Sequence, residues 1–127
     1  MDDPLLDYLD GYLSFGHVGA LGVGCPIAGL APELVRAEPE VREAMAVGAR
    51  RLIEALAADL PIERDARAAA IRVLATAVGT IVLARAVGDE GVARAIIETM
   101  RGSQPLASVL SPRADGTTRR ARSRSSR

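Results

Sequence analysis

Between Arg72 and Arg85 the chain carries an unbroken run, Val73 to Ala84, with no charged residue in it. The run sits inside a helix predicted from about Asp65 to Val87, ~35 Å long at 1.5 Å per residue. A helix that is apolar all round must be covered all round. A chain of 127 residues supplies too few helices to enclose it, so the run predicts an all-α fold with a second chain over one side. Ala75, Ala77, Gly79 and Ala84 are small enough to let another helix come close. The run is also well short of the ~18–20 residues a membrane span requires.

The rest of the composition agrees with packed helices. Apolar residues make up 49% of the chain, mostly Ala, Leu, Val and Ile, with one Phe, two Tyr and no Trp. Ala-rich, aromatic-poor sequences favour helices packed closely on helices, and no alternation of period two is long enough for a sheet.

About five helices are expected, forming one domain over residues 1–102. Asp3-Pro4 reads as a cap followed by proline at the first helical position, and Leu5, Leu9 and Leu13, with Leu6, Tyr8 and Tyr12, form its apolar stripe. Ser14 to Gly24 contains four glycines and reads as a flexible loop. Pro26 begins a second helix with Ile27, Leu30, Leu34 and Val35 inward, which Pro32 should kink or restart. Pro39 opens a third helix, striped by Val41, Met45, Leu52, Leu56 and Leu60 and closed by Pro61. Asp89 caps the fifth, where Ala93, Ile96, Ile97 and Met100 recur at helical spacing and Gly102 takes the C-terminal glycine position.

The net charge of zero conceals two unlike parts. Residues 1–112 hold 10 Arg against 15 Asp plus Glu, or -5, and residues 113–127 hold six Arg against one Asp, or +5. An acidic body is a poor surface for nucleic acid, whose affinity comes from neutralised phosphates. The segment 103–127, with Pro105, Pro112 and an Arg/Ser-rich end, is too polar to offset its ordering entropy and reads as a disordered tail. A single cysteine and an acidic N-terminus without a basic leader predict a soluble cytoplasmic protein with no disulfide.

Catalytic chemistry finds little support. Cys25 and His17 are the only soft ligands, and two cannot build a zinc site. As a Cys-His nucleophilic pair they lack any oxyanion motif. The glycines of Gly19 to Gly24 do not have phosphate-loop spacing. Glu38, Glu40 and Glu43 stand at helix starts, where they favour the helix dipole. Neither an enzyme nor a cofactor or metal site is expected.

Gly24 to Ala44 reads GCPIAGLAPELVRAEPEVREA, a Gly-Cys-Pro opening, a short helix, an Ala-Glu-Pro break and a Pro-Glu-Val-Arg restart. With the IRVLATAVGTIVLARAV helix and the short helix after it, this resembles the regulatory half of tetracycline-repressor-type (TetR) transcription regulators, over about residues 5–102. The resemblance implies an effector-binding and dimerisation domain, without the helix-turn-helix that precedes it in that family. It implies that Ala66–Val87 and Glu90–Arg101 of two subunits form a four-helix dimer bundle, with Val73, Ala77, Gly79, Thr80, Ala84, Ile96 and Met100 at the interface. The remaining helices would enclose a pocket for a small apolar effector. On their inward faces Tyr8, Tyr12, Cys25, Ile27, Met45 and Leu52 either line such a pocket or fill the core.

The chain is thus expected to be a truncated, repressor-type regulatory domain, acting as a homodimer or as a heterodimer with an intact relative, with no sequence-specific DNA binding alone and no membrane. The alternative is a stand-alone helical interaction protein whose Arg tail docks on nucleic acid or an acidic partner.

Overall fold

The computed structural model describes residues 4–20, 25–60 and 64–110, and every regular element in them is a helix. The order is α1 (Pro4–Tyr12), α2 (Phe15–Gly19), α3 (Pro26–Leu34), α4 (Pro39–Asp59), α5 (Ala66–Ala86), α6 (Glu90–Arg101) and α7 (Leu106–Leu110). The protein is therefore all-α. The expected Asp3 cap, the Gly22 and Gly24 turns, Pro61 and the tail from 111 onward lie outside the described residues.

Helix α5 is the axis, in contact with α2, α3, α4, α6 and α7. Its 21 residues reach a mean hydropathy of 1.6 over their most apolar window, enough by length and composition to cross a bilayer. In the fold Ala69, Ala70, Val73, Ala77 and Ile81 run down its inner side and meet Leu9, Tyr12 and Leu13 of the α1 end, Ala28 of α3, Leu56 and Leu60 of the α4 end, and Leu106 of α7. A second small cluster joins Ala84 to Ala93 and Ile97, with Phe15 and Val18 packed on it.

Several boundaries follow from local chemistry. Asp65 sits at the start of α5 in left-handed backbone (φ 52°), a conformation that Asp tolerates better than most residues. Leu60 leaves α4 in extended backbone, as expected of a residue preceding proline. Asp89 caps α6 by accepting a hydrogen bond from the Val92 N–H at 2.8 Å, and Gly88 at φ 63° makes the turn between α5 and α6.

Other expectations are corrected. Phe15–Gly19 is a helix, where a loop was expected from Ser14 to Gly24. The Ser14 hydroxyl accepts from the His17 N–H at 3.1 Å and donates to the Gly11 carbonyl at 2.7 Å, joining the end of α1 to the start of α2. The other end is held from α5: the Arg85 guanidinium donates to the carbonyls of Val18 at 3.1 Å and His17 at 2.8 Å. Pro32 lies inside α3 without breaking it, and the helix ends shortly after, at Leu34. The buried residue of α3 is Ala28, while Leu30 and Val35 are exposed, Val35 to 71%. Gly102 does end α6, but in right-handed backbone. Order continues past the expected boundary at Gly102: α7 follows, and Leu106 is 0% exposed.

Exposure falls along α4. Val41 is 47% exposed, Met45 and Leu52 are half-buried, and Leu56 is buried. The C-terminal half of α4 is the part that enters the core.

Candidate functional site

Helices α5 and α6 form an antiparallel hairpin, joined by the tight Val87–Asp89 turn. Its inner side belongs to the protomer's core. Its outer side is an open groove of about 690 Å³. Ala75, Thr76, Gly79, Thr80 and Leu83 line it from α5, and Gly91, Val92, Ala95, Ile96, Thr99 and Met100 from α6.

Both walls follow the i, i+4 ridge of a helix, the geometry by which one helix seats against another. None of the lining residues carries a charge. Beyond its own stretch of helix backbone, Gly79 has no described atom within 4 Å of where a Cβ would stand, so at this point the groove floor is bare backbone. The Thr76 hydroxyl donates to the Arg72 carbonyl at 2.7 Å, and the Thr80 hydroxyl to the Thr76 carbonyl at 2.6 Å. Both hydroxyl protons are spent on α5 itself, which leaves the Thr99 hydroxyl and the acceptor oxygens of Thr76 and Thr80 as the side-chain polar groups of the groove. Leu83 is 53% and Val92 47% exposed at the rim. The lining is uncharged and largely apolar, which suits it to apolar surface.

Of the expected dimerisation residues, Gly79, Thr80, Ile96 and Met100 line this groove. Val73, Ala77 and Ala84 are corrected: they are buried inside the protomer, Val73 and Ala77 in the main core and Ala84 against α6. The uncharged run has no periodicity to distinguish its two sides. Ala95, Val92 and Thr99 were missed, although they follow the same i+4 spacing as Ile96 and Met100.

The six expected effector residues do not converge on one described cavity. Tyr12 is buried, with Cys25 and Leu52 packed in the same cluster. Tyr8, tilted against Tyr12 with ring centroids 6.0 Å apart, is 47% exposed. Ile27 and Met45 are half-buried. A smaller groove of about 220 Å³ at the α2–α6 corner is lined by other residues, among them Phe15, Asp89 and Glu90. There Arg94 stacks over Phe15 at 4.1 Å and pairs with Glu90 at 2.9 Å.

Around Tyr12 lies a polar network; the sequence paired Cys25 with His17 only as a metal-ligand or nucleophilic candidate and did not connect either to Tyr12 by a hydrogen bond. The Cys25 N–H donates to His17 Nε2 at 3.0 Å, which makes Nε2 the acceptor and leaves the ring proton on Nδ1, 2.7 Å from the Tyr12 carbonyl. The His17 ring meets the Tyr12 ring edge-on at 4.5 Å. Burial, and next the Cys25 thiol, push the Tyr12 phenol well above its ordinary ionisation range. The same two causes raise Tyr8. Among the described residues, no three His, Cys, Asp or Glu stand together in a way that could hold a metal ion.

The fold and the groove define a class: a small helical bundle with an apolar helix hairpin whose outer side none of the other described residues covers. Compared with protein-family models, with curated proteins and with solved structures, the chain matches none.

Proposed function

We propose that this chain is a homodimerising regulatory domain of the TetR type, in which the α5–α6 hairpins of two copies close into a four-helix bundle. The observation that supports the reading is the α5–α6 groove: charge-free, walled by small and aliphatic residues at i+4 spacing, and open on the side away from the protomer's own core. A dimer closed on this hairpin would be two-fold symmetric, the commonest symmetry of homo-oligomers. The apolar effector expected of such a domain would be sensed by the α1–α4 half, where Tyr8, Tyr12 and Cys25 are neighbours.

Sedimentation of the purified protein tests the reading. At micromolar concentration it is expected to run as a dimer. Gly79→Arg places a charge on the groove wall, where a Cβ meets no other part of the protomer within 4 Å, so the variant should keep its helical circular dichroism and sediment as a monomer. A wild-type protein that is monomeric at micromolar concentration overturns the proposal.

A further inference from the structure

His17 is the only histidine of the chain, and both of its ring nitrogens are engaged. Nε2 accepts from the Cys25 N–H at 3.0 Å, where α3 begins, and Nδ1 donates to the Tyr12 carbonyl at 2.7 Å, where α1 ends. From its seat on α2 the half-buried ring therefore bridges two other helices. The seat itself is fixed, because Arg85 of α5 holds the carbonyls of His17 and Val18. Only the neutral imidazole with its proton on Nδ1 makes both ring bonds.

The two bonds respond differently to a second proton. Nδ1–H stays a donor, so the bond to the Tyr12 carbonyl survives. Nε2 becomes a donor as well and meets the Cys25 N–H donor against donor, so that bond is lost. The groups that face the ring offer the new charge no counter-ion. They are Tyr12 of α1, with Tyr8 behind it, Cys25 of α3 and Arg85 of α5, which is itself a cation. Helix α6, which also packs on α2, brings Arg94 and Glu90 to Phe15 instead. Little else fastens the start of α3: the Cys25 side chain makes no capping bond, and Ala28 is the one buried residue of the helix. One hydrogen bond, about a fivefold factor in an equilibrium, is a large part of what holds it there.

We propose that His17 is a proton-operated latch on α3: the neutral ring fastens the start of α3 to α1 and α2, and the protonated ring releases Cys25 and the first turn of α3 while α1 and α2 stay joined. Cys25 and Ala28 pack on the cluster that contains Tyr12, so release opens that side of the core. The inference uses none of the groove residues and stands or falls apart from dimerisation.

Nuclear magnetic resonance of the 15N-labelled full chain tests the latch, and the single histidine makes the imidazole signals unambiguous. Histidine is the side chain that ordinarily takes up its proton between about pH 8 and pH 5, which sets the range of the titration. At the alkaline end the ring nitrogen shifts should place the proton on Nδ1 and leave Nε2 bare. As the ring becomes protonated, the exchange protection factor of the Cys25 amide should fall about fivefold, the factor one hydrogen bond carries. The amides protected within α1 and α2 should hold theirs. His17→Gln removes the titrating group and should make Cys25 protection independent of pH over the same range. A proton on Nε2 at the alkaline end overturns the proposal, as does Cys25 protection that does not follow the ring. So does a ring that stays neutral until the whole protein unfolds, or protection lost at α1 and α2 together with Cys25. A folded His17→Gln whose Cys25 protection falls as in wild type overturns it too. Should His17→Gln lose its fold, the wild-type titration decides alone.

Discussion

At Tyr12 a ring that belongs in the core brings with it a hydroxyl that the core does not satisfy. Removing the oxygen should therefore be neutral or mildly stabilising at neutral pH, by up to about 1 kcal/mol, since no hydrogen bond is lost. Urea unfolding of Tyr12→Phe at pH 7 checks this. The alkaline limb has a definite sign. The folded phenol ionises above its unfolded value of 10.0, because of burial first and Cys25 second. The unfolded chain thus gives up this proton first, so the stability is intact below that value and is lost as pH rises above it. Unfolding titrations above pH 10.0 should show a shallower loss for Tyr12→Phe than for wild type. Some loss should remain, because Tyr8 is raised by the same causes. The sequence placed Tyr12 and Cys25 on inward faces but left His17 without a role, since a bond between residues 17 and 25 leaves no trace in periodicity.

Two elements depend on residues far from them in the chain. Helix α2 is too short to stand on its own turns, and Arg85 holds its C-terminal carbonyls from α5. Arg85→Met keeps most of the length and loses these bonds together with a longer one to the Ala20 carbonyl at 3.5 Å, and should cost about 2 kcal/mol, the scale of hydrogen bonds from a charged donor. Chemical denaturation measures the loss, and faster amide exchange at Phe15–Gly19 should accompany it. Helix α7 is short as well, yet Leu106 is fully buried, and α7 packs on α1, α5 and α6. Leu106→Ala should lower stability by about 2–5 kcal/mol, the range for truncating a large buried aliphatic residue, read from the urea midpoint. Arg101 ties the same corner by donating to the Leu13 carbonyl at 3.0 Å and pairing with the Asp10 carboxylate. From sequence, the prolines and polar residues around Leu106 masked a single apolar side chain that fills the base of the core.

For the whole molecule, the two sides of α5 predict opposite outcomes for the same substitution. Ala77 faces the core and is 2% exposed, so Ala77→Arg buries an unpaired charge and should unfold the protein. Gly79, two residues on, opens onto the groove, and its arginine variant should leave the fold intact while preventing self-association. Circular dichroism and sedimentation of the pair separate the two effects. If the groove closes on a second copy, the wild-type melting temperature should also rise with protein concentration, as mass action requires, and that of Gly79→Arg should not.

By itself the sequence determined that the fold is all-α and where the long helices lie, because both follow from local chemistry. Proline at the first helical position opens α4, Asp89 caps α6, and the residue before Pro61 leaves the helix. Only the tertiary structure decided which side of α5 is core and which is groove. Periodicity identifies an apolar face when the opposite face is polar, and from Val73 to Ala84 no charge marks an opposite face. Helices α2 and α7 were decided there too, because what holds them, Arg85 for one and the α1–α5–α6 core for the other, is brought close only when the chain folds.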